Sequence, residues 1–267
     1  MLDRQRKTML LSEPIITSAI LIAVGLAAGT LGSMLGVGGG IIMVPVLTLL
    51  NVGPIPAAST SLIAVTSTSI SSTIEYSRQK KIDYRLGLEM SACAIPGAVL
   101  GAILSSYLPE ESFKVYFGIL LIFTGLYILY RNLILTRQAV KKPSIGLRAA
   151  VFSAAFCSGI ISSLFGVGGG IIFVPAMLLL LALTMQRAAA TSQLTLLMTS
   201  ISGVFTHSYL GHPDYLHAIA LSAGAFAGAQ IGARISRVAK EMILQRLLAI
   251  MLMAVAIIFI LDGLTLS

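Results

Sequence analysis

Along this chain the polar residues are gathered into short intervals between long apolar runs. Five runs, near Pro14–Met34, Ile41–Leu50, Ala57–Tyr76, Tyr84–Tyr107 and Phe113–Leu133, are followed by five more near Ser144–Phe165, Ile171–Leu183, Ala188–Tyr209, Tyr215–Ser236 and Met242–Leu261. Most are long enough as helices to cross a hydrocarbon layer of about 30 Å, and none alternates with the period of two that a membrane barrel strand requires. The second run of each set is the exception. As a helix it reaches only about 15–20 Å and cannot cross alone. It is predicted to be the return arm of a broken or re-entrant helix pair, which leaves about eight full crossings.

The ten runs are two copies of five. Gly36-Val37-Gly38-Gly39-Gly40-Ile41-Ile42-Met43-Val44-Pro45 returns 130 positions later as Gly166-Val167-Gly168-Gly169-Gly170-Ile171-Ile172-Phe173-Val174-Pro175, with nine of the ten residues identical. After a one-residue slip, Ala57-Ala58-Ser59-Thr60-Ser61 matches Ala188-Ala189-Ala190-Thr191-Ser192, and Gly97-Ala98-Val99-Leu100-Gly101-Ala102 matches Gly228-Ala229-Gln230-Ile231-Gly232-Ala233. A repeat of this length decides the architecture before any other feature does. The chain divides into a tail over 1–13, a first transmembrane repeat over 14–135, a basic connecting loop over 136–147 and a second repeat over 148–262. Arg4, Arg6 and Lys7, followed by an apolar stretch and Ala23–Ala28, have the outline of a signal peptide. That stretch has a counterpart in the second repeat, so it is read as part of the fold.

Composition names the solvent. Of 267 residues, 57% are hydrophobic and only 10% are charged, with a mean hydropathy of +0.95; a soluble domain carries about 25% charged residues. Lipid must cover most of this surface. The net charge of +8 does not point to nucleic acid, because its carriers cluster in short loops. One cluster is Arg78, Lys80, Lys81 and Arg85; another is Arg131, Arg137, Lys141, Lys142 and Arg148. Such loops face the cytoplasm under the positive-inside rule, which makes this a multi-pass protein of the inner (plasma) membrane. Cys93 and Cys157 lie inside apolar runs and are read as small buried residues, without disulfide or metal.

Equivalent loops differ in charge. The loop Arg78–Arg85 is basic, whereas its counterpart Tyr209–Tyr215 carries Asp214 and neither Lys nor Arg. Glu110 and Glu111 stand where the second repeat has Arg234, Arg237 and Lys240. The two copies should therefore face opposite sides. The expected fold class is all-α: a polytopic transmembrane helical bundle of two inverted repeats, each with a Gly-rich broken or re-entrant helix pair, a plan common among secondary transporters. Inversion puts the basic N-terminus on the outer face.

Four glycines in five residues cannot hold a regular helix, and in a membrane a break is tolerated only inside protein or beside a water-filled cavity. The backbone at Gly36, Gly38, Gly39 and Gly40, and at Gly166, Gly168, Gly169 and Gly170, is expected to be open with free amides. Pro45 and Pro175 are expected in the first turn of the helix that follows, where no amide donor is needed. Free amides at a helix N-terminus form an anion site without a charged side chain. Two such ends, brought together by the repeat, would make one pocket, shaped by Thr60, Ser61, Thr191, Ser192 and Gln193. Capping or interhelix bonding by the hydroxyls is an equal alternative. Gln193 stands where the first copy has Leu62, so the pocket would be asymmetric.

Close helix packing is the alternative reading of the Gly-Val-Gly-Gly-Gly runs, and it is the reading assigned to Gly97, Gly101, Gly228 and Gly232. No Lys-Ser or Lys-Thr follows the glycines, so a nucleotide loop is not the expected reading. Arg234 is close enough to a helix end to snorkel, and Glu75 and Glu89 are read as partners of the basic loop. His207 is a candidate for coupling to protons, with an interfacial position the more ordinary reading; His212 and His217 are read as loop residues.

The doubled Gly-Val-Gly-Gly-Gly-Ile-Ile-x-Val-Pro motif, the Ala-Ala-x-Thr-Ser stretches, the Gly-Ala-x-x-Gly-Ala pairs and the segment Glu75–Tyr84 resemble the sulfite exporter TauE/SafE family over about Ile20 to Leu261. The resemblance implies a transporter of small anions, with sulfite and organosulfonates as associated substrates. The expected activity is secondary transport, outward in direction, without ATP, cofactor, metal or catalytic residue. The expected partners are a small anionic substrate and the bilayer, with homodimerisation left open. An anion channel and a membrane enzyme or assembly factor stand as alternatives.

Overall fold

The computed structural model describes residues 14–107 and 145–240 apart from Ala182, with scattered positions between 109 and 126 and between 242 and 257. The tail 1–13, most of the connecting loop and most of the two fifth runs lie outside the described residues. Eight helices are described in full: α1 (Pro14–Leu35), α2 (Gly40–Leu49), α3 (Pro54–Arg78), α4 (Tyr84–Ser105), α5 (Ile145–Phe165), α6 (Gly170–Leu180), α7 (Met185–Tyr209) and α8 (Tyr215–Val238). Among the described residues there is no strand. Four of these helices contain segments long and apolar enough to cross a membrane: Ile16–Leu35, Tyr84–Ser105, Met185–Tyr209 and Tyr215–Val238.

Local chemistry sets the helix ends. Asp83 caps α4 through the Leu86 amide, and its repeat partner Asp214 caps α8 through the amides of Leu216 and His217. Pro54 opens α3, where a missing amide costs nothing. Pro45 and Pro175 correct the expectation. They lie inside α2 and α6, one turn later than a helix start, so the carbonyls of Ile41 and Ile171 lose their ladder donors.

The contacts define direction. Cβ atoms placed on Gly224, Gly228 and Gly232 would meet the carbonyls of Ile22, Leu26 and Thr30 at 2.0–2.1 Å. The register advances together, so α1 and α8 run parallel with their backbones touching. On the other side, Gly97 and Gly101 meet Phe156 and Ile160 carbonyls in the same way, at 2.2 Å each, which makes α4 and α5 parallel. The four glycines assigned to packing are therefore all at backbone contacts. Close approach of this kind is what holds helices together where lipid removes the hydrophobic drive.

α3 and α7 run side by side in opposite senses. The Asp83 amide just beyond the end of α3 donates to Thr191 Oγ1 near the start of α7 at 3.1 Å, and the Asp214 amide beyond α7 donates to Thr60 Oγ1 near the start of α3 at 2.9 Å. Ser67 and Ser71 of α3 donate to the Ser222 and Phe226 carbonyls of α8. Thus α1, α3 and α8 form one parallel layer, while α4, α5 and α7 form the other. Each layer draws helices from both repeats.

The hydroxyl-rich α3 is stable in an apolar setting because its side chains bond backbone: Thr66, Thr68 and Ser72 donate to carbonyls four residues back. Cys93 is only partly covered and Cys157 is exposed, which corrects their reading as buried. Both thiols are free.

Gly228→Val should drive a branched side chain into the Leu26 carbonyl. The expected loss is about 1–3 kcal/mol, read as a lower melting temperature in detergent. Gly146→Ala is the control, since a Cβ there meets nothing within 4 Å.

Candidate functional site

Each glycine motif forms a turn between a long and a short helix, and the two turns pack on each other at the centre of the protein. Gly36 and Gly166 hold φ values of +78° and +67°, a left-handed conformation that glycine adopts at little cost. A Cβ on Gly40 would stand 2.3 Å from the Gly166 carbonyl oxygen, and one on Gly170 would stand 2.2 Å from the Gly36 oxygen. No side chain fits at either position.

The same two carbonyls are clasped by the opposite repeat. Ser192 Oγ donates to the Gly36 carbonyl at 2.7 Å, and Ser61 Oγ donates to that of Gly166. Beneath Ser61 and Ser192, Ala58 and Ala189 are the small residues that let each turn approach. Gly38 and Gly168 both face Val65 and Leu196, which occupy equivalent places on α3 and α7. All five residues of each turn are buried.

In the first turn the expectation of free amides holds only in part. Gly36 N–H donates to the Ser33 carbonyl, and the amides of Val37 and Gly38 both donate to that of Gly32. In contrast, no acceptor among the described residues meets the amides of Gly39, Gly40 and Ile41, or of Gly169, Gly170 and Ile171. These are the opening amides of α2 and α6, where a helix dipole presents its positive end. The turns are not identical: Gly39 has φ +89° and Gly169 has φ −65°.

The structure brings Thr60, Ser61, Thr191, Ser192 and Gln193 to these turns and engages each of them. The threonines hold loop amides of the opposite repeat and the serines hold the glycine carbonyls. Gln193 Nε2 donates to the Gly32 carbonyl at 3.0 Å, while its buried Oε1 has no partner. Pro45 and Pro175 are buried in the short helices.

Two charge candidates sit elsewhere. Arg234 is largely exposed and pairs at 3.6 Å with Glu75, which also accepts from Gln79 Nε2. Glu75 therefore answers α8 rather than the basic loop, whereas Glu89 pairs with Arg85. His207 lies in the last turn of α7 and is 0% exposed. Its ring lies 2.9 Å from the Ser163 carbonyl and 2.9 Å from Nδ1 of His212. His217 belongs to the first turn of α8. Sequence reasoning missed Ser163 as a partner, although the repeat offers a sign of it: Tyr76 and Ser33 are the equivalent pair, and the Tyr76 hydroxyl donates to the Ser33 carbonyl at 2.9 Å.

The loop groups are perturbed. Burial pushes the His212 imidazole below its usual range. Burial also lowers Lys81, helped by the charge of Arg237. For Asp214, burial works upward, but bonds from the His217 side chain and amide, the His217 charge and the Leu216 amide outweigh it and hold the carboxyl below its usual value.

A TauE profile, described as sulfite exporter TauE/SafE, matches residues 21–259. The chain belongs to the sulfite exporter TauE/SafE family. Relatives within reach are "Probable membrane transporter protein YunE" of Bacillus subtilis, 35% identical over 91% of this chain and 97% of that one. "Probable membrane transporter protein MJ0441" of Methanocaldococcus jannaschii is 28% identical over 78% of each chain. "Probable membrane transporter protein YfcA" of Escherichia coli K12 is 27% identical over 81% of this chain and 79% of that one. No solved structure matches significantly. Family and relatives make this TauE/SafE protein a multi-pass membrane transporter.

Gly40→Ala and Gly170→Ala should each destabilise the TauE/SafE core by about 1–3 kcal/mol through overlap with the facing turn, and Ser61→Ala with Ser192→Ala should lose about 1–3 kcal/mol per buried carbonyl left without its donor. Thermal unfolding in detergent measures both. Asp214→Asn tests the loop. A depressed folded-state carboxyl adds stability that is present above its unfolded value and lost as the pH falls through its folded one. The melting-temperature gap between Asp214→Asn and the parent should thus be open at neutral pH and close on acidification.

Proposed function

We propose that the protein is a secondary transporter that exports a small anion, a sulfur oxyanion or organosulfonate, through a site formed by the two glycine turns. The observation that carries this reading is the meeting of two helix starts, α2 and α6, with six opening amides that have no acceptor among the described residues. Amides at a helix N-terminus select for negative charge without burying a cation. Gly39, Gly40, Gly169 and Gly170 supply donors, with Gly36, Gly38, Gly166 and Gly168 shaping the turns and Pro45 and Pro175 lying within the short helices behind them. Ser61 and Ser192 hold the turns in place, Thr60 and Thr191 hold the adjoining loops, and Gln193 makes the site unequal on its two sides.

The halves act as inverted repeats. The opposite senses of α3 and α7, the exchange of α8 and α4 between layers and the opposed loop charges support this reading. α1 with α2 and α5 with α6 are then re-entrant pairs whose turns meet near the midplane. The conformation described is closed over the turns, with Val65 and Leu196 covering them. Alternating access would part the two layers on one side and then the other, driven by an ion gradient or by the anion's own gradient.

Purified protein in proteoliposomes should exchange labelled sulfite or methanesulfonate in a saturable manner, and Gln193→Leu, which restores the first repeat's residue, should change the apparent affinity without loss of folding. Failure to move any sulfur oxyanion or sulfonate would remove the substrate. Flux that never saturates would favour a channel.

A further inference from the structure

The strongest unassigned feature is a line of polar groups at the α7–α8 loop. His207 Nε2 lies 2.9 Å from the Ser163 carbonyl, which can only accept, so Nε2 carries a hydrogen. In a neutral ring Nδ1 is then bare and accepts. Its partner at 2.9 Å is Nδ1 of His212, which must therefore be the donor, leaving Nε2 of His212 bare. That nitrogen is 3.4 Å from Ser106 Oγ, a hydroxyl able to donate to it. The geometry fixes every hydrogen: Ser106 to His212, His212 to His207, His207 to the carbonyl. Ser106 is exposed and His207 is 0% exposed, so the line runs from surface to core.

We propose that His207 and His212 form a proton-binding site that couples the transport cycle to protons taken from the α7–α8 loop face. A proton reaching Nε2 of His212 releases its Nδ1 proton to Nδ1 of His207. His207 becomes an imidazolium with hydrogens on both nitrogens, while His212 is neutral again with its hydrogen on Nε2. The Nδ1 to Nδ1 bond survives with its direction reversed, so one proton is bound and one charge has moved inward by one ring. The transfer stops there, because a peptide carbonyl does not take up a proton near neutral pH. The site stores a proton and does not conduct one.

Three helix C-termini favour that stored charge. His207 lies in the last turn of α7, Ser163 in the last turn of α5, and Ser106 caps α4; each end carries a partial negative charge. The groups facing the pair are the Ser163 carbonyl from α5 and the Ser106 hydroxyl beyond α4; Asp214 of the same loop is paired with His217. Among the described residues no lysine, arginine or glutamate forms an ion pair or hydrogen bond with either ring. The first repeat shows what changed. At the positions of His207 and His212 it has Tyr76 and Lys81, and Tyr76 makes the same bond to the equivalent carbonyl. Both side chains keep a hydrogen on the carbonyl, the phenol through its hydroxyl and the imidazole through Nε2. The imidazole differs in having a second nitrogen, Nδ1, that can take up a proton, which the phenol lacks. The α7–α8 loop is on the outer side in the inverted-repeat reading, where the proton gradient supplies protons.

The coupling role rests on the transport reading, so the test separates the two. Solid-state NMR of 15N-histidine protein in lipid bilayers should show His207 protonated at Nε2 and His212 at Nδ1 at high pH. The two rings should change together on acidification as one proton binds, and His212→Asn should shift the His207 titration. Fixed tautomers from pH 8 to pH 5, or two independent titrations, would overturn the site. In proteoliposomes, labelled methanesulfonate avoids leakage of a neutral acid. At one proton per anion, a pH difference of one unit should drive up to about tenfold accumulation in the parent, and none in His207→Asn. Counterflow of the sulfonate without any pH-driven accumulation in the parent would defeat coupling while transport stands. If counterflow is absent as well, the transport reading fails and the NMR result alone decides the site.

Discussion

The arrangement depends on one contact, the packing of two peptide backbones with no side chain between them. Gly40 lies against the Gly166 turn and Gly170 against the Gly36 turn. In lipid there is no hydrophobic drive to bring helices together, so association rests on close approach and on satisfying polar groups internally. The glycines allow the approach, and Ser61 and Ser192 satisfy the two carbonyls it exposes. Other features follow from that contact. Positions 58 and 189 must be small, α2 and α6 must begin at the centre, and α3 and α7 must lie side by side to deliver their hydroxyls.

Much of this was legible in the residues. The duplicated glycine run announced a repeat, and the pairs Gly97/Gly101 and Gly228/Gly232 announced backbone contacts, because four-residue spacing puts small residues on one helix face. Their partners were not legible. A repeat shows which segments are equivalent but not which ones touch, and here α1 packs on α8 of the other copy. The hydroxyls were readable as polar groups near helix starts, yet their acceptors lie more than a hundred residues away. Likewise the amides of Val37 and Gly38 could be foreseen as released from a helix, but not that the Gly32 carbonyl takes them both. His207 looked interfacial because it is three residues from a histidine-containing turn; its burial is imposed by α5, which brings Ser163 to it.

The side chains that break the repeat carry a different kind of information from those that keep it. Two halves of identical sequence, related by inversion, would have inward-open and outward-open states of equal energy, since exchanging the halves converts one state into the other. A preference can then come only from residues that differ between the copies, from the membrane's two faces, or from a bound ligand. Near the glycine turns the copies agree at the serines and threonines that hold the backbone. They differ at Leu62 against Gln193, at Tyr76 against His207, and at Lys81 against His212. In the inverted-repeat reading the shared residues would build a frame with no inherent direction, and the differing ones are where a direction could be imposed. Gln193 is buried with an unmatched oxygen beside the first turn, and His207 is buried on a carbonyl three residues before the second. Both asymmetries therefore lie beside the turns, at the place where, under the proposed alternating access, a small energetic difference would decide which side of the protein opens.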